Sequence, residues 1–126
     1  MNLITSIYEE IYINKNLRTN KTAIVFENKK IDYNTLKNNV DNLSSSLISE
    51  GIKINQKIGI VMPNSIELVY CMLAASKIGL TIIPFNTNYN KDVLLKCFRD
   101  LKVDTIIAWH RFIEYFDVGL KKYKNK

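Results

Sequence analysis

The sequence predicts an α/β protein in which helices cover both faces of a parallel sheet. Three short runs, KIGIVM, LTIIPF and DTIIAW, are almost continuously apolar, which is typical of buried parallel strands. Segments with helical periodicity separate these runs, and parallel strands require crossover connections of that kind. The chain has 126 residues, of which 47% are hydrophobic, so a core of its own is feasible. We therefore expect a single domain over residues 1–126.

Two elements precede this alternation. The segment from Ser6 to Ile13 places apolar side chains at positions i, i+1, i+4 and i+5, which form one face of a short helix. The segment TAIVFENKKIDY contains two short runs with strand propensity around Asn28-Lys29. Because asparagine tolerates the positive φ that tight turns need, we expect a β-hairpin there.

The longest helix is predicted to begin after Asp32. Its apolar residues run from Leu36 to Leu47 in steps of four, three and four, and Gly51 stands where such a helix would end. The pattern predicts a helix of about four to five turns.

Capping residues delimit the helices between the strands. Asn64 is the predicted N-cap of the helix that ends at Gly79, with Glu67 at the N3 position of a capping box. Asn90 is the predicted cap of the next helix, and a final helix is expected from Phe112 to Tyr123. On the helix after Asn90, one apolar side is expected at Val93, Leu94, Cys97, Phe98 and Leu101.

Ligands of open parallel sheets bind in the crevice beyond the carboxyl ends of the strands. Asn64, Asn86 and His110 are the polar side chains that we expect there, as candidate positions for a nucleotide or an acyl group. The segments concerned are Met62 to Ser65, Pro84 to Asn88 and Trp109 to Arg111. For Trp109 itself, we expect a strand terminus whose indole is tucked into the core.

The residue patterns of common catalytic and metal sites are missing from the sequence. A single histidine, His110, rules out a multi-histidine zinc site and limits any catalytic triad. Cys71 and Cys97 lie in apolar segments, where cysteine behaves as a small hydrophobe, and the four glycines match no phosphate-binding fingerprint. The serines at 44–46 fall inside the long helix, so we interpret them as solvated or packed. We expect no catalytic residue and no metal site in this chain, and no motif identifies cofactor-binding residues.

Charge and hydropathy limit the classes of partner. The net charge is +6, and four lysines crowd positions 121–126, where Tyr123 is the single aromatic residue. We interpret these lysines as a solvated tail and expect no nucleic-acid partner. The first ten residues lack the pattern of a signal peptide, and charged residues, glycine and proline interrupt the most apolar window, from Ile66 to Phe85. The sequence therefore predicts a cytoplasmic protein without a membrane span.

Several motifs occur in a recognisable order between about Thr22 and Ala108. A hairpin leads into a tyrosine-x-x-leucine helix that ends in glycine, and the segment VLLKCFRDLKVDTIIA closes the series. Between them lie Pro63-Asn64 with Glu67, Lys77-Ile78-Gly79, Pro84 and Asn86. Together these residues resemble the amino-terminal part of the adenylate-forming superfamily, which includes acyl-CoA synthetases and peptide-synthetase adenylation domains. The Pro63-Asn64 turn and the segment Asn86-Thr87-Asn88-Tyr89 are more similar to the acyl-CoA synthetases than to the amino-acid-activating members.

The resemblance implies a catalytic activity for a complete family member. It also implies that this chain alone lacks that activity. Members join a carboxylate to ATP as an acyl-adenylate and pass the acyl group to a thiol, so ATP, Mg²⁺ and CoA are implied for the complete enzyme. The phosphate loop, the acidic residues near ribose and magnesium, and the carboxy-terminal catalytic lysine are expected downstream of residue 126. The lysines at 121–126 lack the motif around that catalytic lysine. No catalytic residue carries over, and no cofactor is expected for this chain alone.

Three roles remain open at this stage. The chain is an amino-terminal fragment or split half of such an enzyme, in which case a companion chain carries the remaining motifs. Alternatively, it is a stand-alone interaction module that binds a protein or a second copy of itself through an open sheet edge. The third role is a small-ligand binder that uses the strand ends near Asn64, Asn86 and His110.

Overall fold

The computed structural model describes residues 7–13 and 20–112. Within these residues it contains four α-helices, five strands and one short 3₁₀ helix. In chain order they are α1 (Ile7–Ile13), β1 (Thr22–Phe26), β2 (Lys29–Asp32), α2 (Tyr33–Ser49), β3 (Lys57–Val61), α3 (Ile66–Ile78), β4 (Thr81–Pro84), α4 (Lys91–Asp100), β5 (Thr105–Ala108) and the 3₁₀ helix (His110–Phe112). The predicted order of elements is confirmed. The predicted final helix lies outside the described residues except for Phe112, which ends the 3₁₀ helix.

The sheet is three-stranded and parallel, with the order β4-β3-β5. Strand β3 is central, and four of its five residues are fully shielded from solvent, from Ile58 to Val61. Strands β1 and β2 form a separate antiparallel hairpin that continues directly into α2. The predicted fold class is therefore confirmed: a mixed α/β fold with a parallel sheet flanked by helices.

The two faces of this sheet are covered by different helices. On one face, which we call the three-helix face, side chains of α1, α2 and α3 pack together with Ile107 of β5. On the other face, the α4 face, Leu94 and Phe98 of α4 pack against Val61 and Val103. Adjacent residues of β5 point to opposite faces, as the period of a strand requires, so both faces of the sheet are used as core.

The apolar stripe of α2 explains why this helix packs against α3 and the hairpin. Leu36, Val40 and Leu47 are buried as predicted, whereas Leu43, the fourth residue of the predicted stripe, is only half-buried. Asp32 caps the helix by accepting a hydrogen bond from the amide of Thr35 at 2.7 Å. Ser44 lies on the same stripe, where its hydroxyl donates to the carbonyl of Val40 at 2.7 Å. A buried hydroxyl on this stripe is tolerated because its hydrogen bond is made within the helix.

The hairpin turn falls one residue earlier than predicted. The register pairs Phe26 with Lys29, so Lys29 belongs to β2 and the turn consists of Glu27 and Asn28. The left-handed backbone conformation is adopted by Glu27, at φ 51°, and not by the asparagine that we expected to supply it. Strand pairing, rather than the conformational preference of the asparagine, sets the position of this turn.

The N-cap of α3 is Ser65 and not Asn64. The Ser65 hydroxyl oxygen accepts a hydrogen bond from the amide of Leu68 at 3.2 Å, and the backbone of Ser65 is extended. The helix thus begins one residue later than predicted, and Glu67 falls at N2, so the predicted capping box is wrong. Glu67 still lies in the first turn, where a negative charge is favourable near the helix N-terminus.

Helix α4 buries a narrower stripe than its sequence predicts. Leu94 and Phe98 are buried, whereas Val93 is 41% exposed and Leu101 is 44% exposed. Leu94 and Phe98, which are four residues apart, face the sheet directly. Val93 and Leu101 lie at the edge of this contact, where solvent reaches their side chains. The cap of α4 agrees with prediction, because Asn90 accepts a hydrogen bond from the amide of Val93 at 3.0 Å.

No helix among residues 7–13 and 20–112 is long and apolar enough to cross a membrane.

Candidate functional site

The candidate site consists of the loops at the carboxyl ends of the three parallel strands. Because β4, β3 and β5 are parallel, these ends meet at one edge of the sheet. Phe85 continues β4 by donating its amide to the carbonyl of Ile60 at 2.9 Å. Trp109 continues β5 in the same way, through the carbonyl of Val61 at 2.9 Å. The sequence-predicted positions therefore lie where strand geometry was expected to place them.

The loop after β3 is organised around Ser65. Besides capping α3, its hydroxyl donates to the carbonyl of Pro63 at 3.1 Å, which closes the turn on itself. Asn64 and Ser65 line one end of a groove of about 280 Å³ between β1 and the start of α3. The other residues of the groove are apolar: Ile24, Val25, Phe26, Ile66, Leu68 and Val69. Asn64 thus faces a largely apolar depression rather than a polar crevice.

The loop after β4 uses its asparagines to shape the backbone. The side-chain oxygen of Asn86 accepts a hydrogen bond from the amide of Asn88 at 2.9 Å, and the carbonyl of Asn86 accepts from Tyr89 at 3.2 Å. This is an Asx turn that leads into the Asn90 cap of α4. The Pro84 to Asn90 segment is therefore a strand-to-helix connection in which Asn86 shapes the turn and Asn90 caps the helix.

The loop after β5 differs from its sequence-based prediction. Trp109 is 40% exposed, with its ring in an edge contact with the His110 ring at a centroid distance of 4.9 Å, and it is not tucked into the core. The buried aromatic residue of this loop is Phe112, whose amide donates to the Trp109 carbonyl at 2.8 Å. The 3₁₀ turn brings Phe112 back over the α4 face, so Phe112 takes the core position that was predicted for Trp109.

The three candidate polar residues do not converge on a common point of contact. Asn64 faces the groove beside the hairpin, Asn86 is engaged in its own turn, and His110 lies against Trp109. Within the part of the chain that the structure describes, no hydrogen bond or ring contact joins any two of these three residues. The same residues contain no cluster of three or more metal-ligating side chains. Chemically, these loops cap helices and close turns.

A network of charged side chains that the sequence analysis missed lies on the three-helix face. Asp41 of α2 accepts hydrogen bonds from the Tyr8 hydroxyl at 2.6 Å and from the Lys77 ammonium at 2.8 Å, and it also accepts from Lys37. The Lys77 ammonium lies 5.0 Å from the centroid of the Tyr8 ring. One carboxylate thereby connects α1, α2 and α3.

The titration of this network follows from its geometry. Partial burial alone would raise the pKa of Asp41, but hydrogen bonds from Lys37, Lys77 and Tyr8 outweigh that effect and hold the pKa well below its ordinary value. The same hydrogen bonds raise the pKa of each lysine. Burial, followed by the hydrogen bond to Asp41, raises the pKa of Tyr8. Asp41 and the two lysines are therefore charged at neutral pH, and the lysines act as hydrogen-bond donors in ion pairs rather than as nucleophiles. One signal in the sequence pointed to it, the i, i+4 spacing of Lys37 and Asp41.

The network also gives a structural reason for the Lys77-Ile78-Gly79 motif. Lys77 is held by Asp41, and two residues later Gly79 ends α3 with φ 86°, a left-handed conformation that glycine adopts without strain. A Cβ at Gly79 would lie 3.0 Å from the side chain of Ile54. Both ends of the motif therefore contribute to the packing of α3, and neither faces the strand-end loops.

The cysteines and the serine triplet behave as predicted. Cys71 is buried, and burial together with the charge of Glu67 raises its pKa to about 11, so the thiol is protonated and unreactive at neutral pH. Cys97 is half-buried on α4. Ser44 is packed, and Ser45 and Ser46 are exposed.

A family model described as "AMP-binding enzyme" matches residues 13–125 of the chain. Among curated proteins, tyrocidine synthase 1 of Brevibacillus parabrevis is 28% identical over 88 residues, which is 70% of this chain and 8% of that protein. The 2-succinylbenzoate–CoA ligase of Bacillus cereus (strain Q1) is 28% identical over 92 residues, 73% of this chain and 19% of that ligase. The relatives thus include a peptide synthetase and an acyl-CoA ligase, and the chain spans less than a fifth of each.

Solved structures show the same fold. Apo MatB from Rhodopseudomonas palustris matches 97% of this chain with a TM-score of 0.86 at 19% identity, over 24% of its own length. The anthranilate CoA ligase AuaEII, in complex with anthranoyl-AMP, matches 94% of this chain with a TM-score of 0.82 at 19% identity, over 23% of its own length. The chain matches the amino-terminal part of such ligases, and it belongs to the AMP-binding family of adenylate-forming enzymes.

Proposed function

We propose that this chain is the amino-terminal portion of an AMP-forming acyl-CoA synthetase or adenylation enzyme, and that it does not catalyse the reaction by itself. It is either a fragment of that enzyme or one half of an enzyme split between two chains. In the complete enzyme it supplies a scaffold, and the remaining portion supplies the groups that activate a carboxylate with ATP. ATP, Mg²⁺ and CoA are then ligands of the complete enzyme, and none of them is assigned to this chain alone.

One observation carries the proposal. The chain superposes over 97% of its length on a ligase of which it covers 24%, so most of that enzyme has no counterpart here. The strand-end loops agree with a scaffolding role, because the side chains of Ser65, Asn86 and Asn90 are used for caps and turns. The complexes named for the solved relatives contain ATP or an acyl-AMP, which is the chemistry that we assign to the complete enzyme.

Within this family, we favour acyl-CoA synthesis over amino-acid activation. The Pro63-Asn64 turn and the asparagine-rich loop after β4 are the sequence features that support this choice. The curated relatives include both kinds of enzyme, so the choice depends on these loops alone. We also propose a cytoplasmic location, in keeping with the two cysteines, Cys71 and Cys97, which are both free thiols.

A second candidate function is a stand-alone interaction module. The observation that favours it is that, among the described residues, β4 and β5 each pair with β3 on one side only. Unpaired strand edges recruit other strands, from a partner protein or from a second copy of the chain. Apolar side chains that are more than 40% exposed, among them Val93 and Leu101, add to the surface that is available for such contacts.

The test is the intact mass of the protein at native abundance in its own source, together with the proteins that co-purify with it. A 14.6 kDa species in complex with a chain that carries the phosphate loop is expected for a split enzyme, and a much larger intact mass is expected for a fragment. In either case, the assembled material is expected to release pyrophosphate when ATP and a carboxylate are supplied.

The same species alone or self-paired, without pyrophosphate release, contradicts the ligase proposal and supports the interaction module. The matched control is the 126-residue chain alone with ATP, which is expected to release no pyrophosphate. A shift of its Tm by ATP, AMP or a fatty acid would instead support the small-ligand role, because ligands stabilise the state that they bind.

A further inference from the structure

Helix α4 carries a second apolar row beside the one that it buries. Leu94 and Phe98 face the sheet, whereas Val93, Cys97 and Leu101 follow one another at steps of four residues on the neighbouring row. Val93 and Leu101 are both more than 40% exposed, and Cys97 is half-buried between them. Because residues four apart form a continuous ridge on a helix, we call Val93, Cys97 and Leu101 the α4 ridge.

Charged side chains border the α4 ridge on its solvent side. Asp92, Lys96 and Asp100 form the next row of the helix, and all three are exposed. Lys96 and Asp100 form an ion pair with each other. An apolar row with a charged border is typical of a contact surface, whereas single exposed apolar residues are scattered over most proteins.

The α4 ridge is complementary to itself when one copy is reversed. Cys97 lies midway between Val93 and Leu101, so a two-fold axis near Cys97 places Val93 of one copy against Leu101 of the other. Ridges of residues four apart interdigitate in the commonest class of helix packing. A two-fold contact uses the same patch on both copies, which is the usual symmetry of soluble homodimers.

Charge favours a second copy of the chain in the antiparallel direction. In a parallel pair, Lys96 would face Lys96 of the second copy, and Asp100 would face Asp100. In an antiparallel pair, Lys96 of each copy lies beside Asp100 of the other, and the two helix dipoles are opposed. The first turn of α4 contains Asp92 and the last turn contains Arg99, so antiparallel pairing also sets opposite charges at each end of the pair.

We propose that the α4 ridge is the contact surface of an antiparallel homodimer of this chain. This inference is independent of the proposed ligase role, which depends on pyrophosphate release. One helix ridge buries less than a standard interface of about 1,600 Å², so the dimer is weak and the chain is monomeric at low micromolar concentration. The net charge of +6 on each copy opposes the contact at long range, but salt screens charges beyond about 8 Å at physiological ionic strength.

Sedimentation equilibrium of the 126-residue chain tests the proposal. Between about 0.01 and about 1 mM chain, we expect the apparent mass to rise from 14.6 kDa toward twice that value. Leu101→Lys places a charge in the contact and is expected to raise the dissociation constant of the dimer at least about 10-fold. Ile48→Lys is the control with the same change in net charge, because Ile48 of α2 is exposed and lies outside the α4 ridge. Its dissociation constant should equal that of the wild type.

Two results of this experiment overturn the proposal. One is a chain that stays monomeric up to about 1 mM. The other is equal weakening of the dimer by Leu101→Lys and Ile48→Lys, which would mean that the copies meet through another surface or are held apart by charge alone.

A paired exchange of charge tests the antiparallel direction. Val93→Lys and Leu101→Glu are each expected to weaken the dimer at least about 10-fold. Their combination is expected to recover to within about 3-fold of the wild type, because opposite charges then face each other on both sides of the axis. A combined variant that dimerises no better than the single variants overturns the antiparallel contact.

Oxidation of thiols tests the position of the two-fold axis. Packed helices lie about 8–10 Å apart, so Cα atoms at the point of contact come within the distance that a disulfide spans. Cys71 is buried and its pKa is raised to about 11, so oxidation is directed to Cys97. We expect diamide, which removes two hydrogens from a pair of thiols, to link the wild-type chain into a covalent dimer at about 0.5 mM.

The control for this oxidation moves the thiol to the other side of the same helix. The variant combines Cys97→Ser with Arg99→Cys, since Arg99 is exposed and points away from the α4 ridge. It is expected to form covalent dimers at least about 10-fold more slowly than the wild type, although its thiol is more accessible. Faster or equal linkage in this variant means that the thiols meet by random collision, and it overturns the assignment of the axis to Cys97.

Discussion

The two faces of the central sheet are stabilised by different kinds of contact. On the three-helix face, buried aliphatic side chains are accompanied by Asp41, whose carboxylate connects three helices. On the α4 face, the rings of Phe85 and Phe98 meet edge to face at a centroid distance of 4.7 Å. Gly59 of β3 leaves room for the Phe85 ring and for Val103, since a Cβ there would lie 3.1 Å from Phe85 and 3.2 Å from Val103. A charged network depends on pH, whereas aromatic packing depends on volume, so the two faces should respond to different perturbations.

The largest effect is expected from a loss of volume on the α4 face. Phe98 is 2% exposed, and Phe98→Ala removes its ring contact as well as most of its buried area. We expect a loss of about 3–5 kcal/mol in the free energy of unfolding, measured by urea denaturation. Leu101→Ala, at the C-cap of α4, is the control and should lose less than about 1 kcal/mol, because Leu101 is 44% exposed.

If Phe98→Ala is too unstable to measure, Phe98→Leu keeps the comparison open. It should lose less than half as much, since most of the side-chain volume remains. Equal losses for Leu101→Ala and Phe98→Leu would mean that the α4 face does not depend on its aromatic pair.

The next effect is expected from removal of the shared charge on the three-helix face. Asp41→Asn leaves Lys37 and Lys77 without their anionic partner, and the Asp41 side chain is 27% exposed, so water only partly replaces it. We expect a loss of about 1–2 kcal/mol by urea denaturation at neutral pH. Asp100→Asn is the matched control, because Lys96 and Asp100 form an ion pair at the same spacing with both side chains mostly exposed. The urea midpoint of that variant should be unchanged.

The pH dependence of stability distinguishes the charge of Asp41 from its packing. The pKa of Asp41 is lowered in the folded chain, so ionisation of Asp41 favours folding, and its contribution is present above the ordinary pKa of aspartate. The contribution is lost as the pH falls toward the lower folded-state pKa. We therefore expect the difference in free energy of unfolding between wild type and Asp41→Asn to be constant above about pH 5 and to shrink below about pH 4. A difference that stays constant down to pH 2 would indicate a packing effect instead.

The part of this molecule that could be predicted from sequence is the part set by local patterns. The steps of Leu36, Val40 and Leu47 fixed the buried stripe of α2, and Asp32 and Asn90 were recognised as caps because a capping side chain acts within three residues. The network around Asp41 joins Tyr8 and Lys77, which are 33 and 36 residues away in the chain, and no local pattern connects them.

Corrections at the candidate site have the same physical origin. Trp109 and Phe112 are both aromatic and both follow β5, but only Phe112 is buried, because it packs in the cluster on the α4 face. The turn of the hairpin was displaced by strand register, which depends on two segments at once.

The smallest change in the free energy of unfolding is expected at the start of α3, where the adjacent polar residues Asn64 and Ser65 were both possible N-caps. Ser65→Ala removes the oxygen that accepts from the Leu68 amide and should lose about 1 kcal/mol in urea denaturation. Asn64→Ala is the matched neighbour and should lose much less, because Asn64 is exposed at the rim of the groove and caps nothing. A larger loss for Asn64→Ala than for Ser65→Ala would restore the capping box predicted from sequence. The expected order would instead show that Asn64 does not stabilise the start of α3, and that Ser65 alone caps this helix.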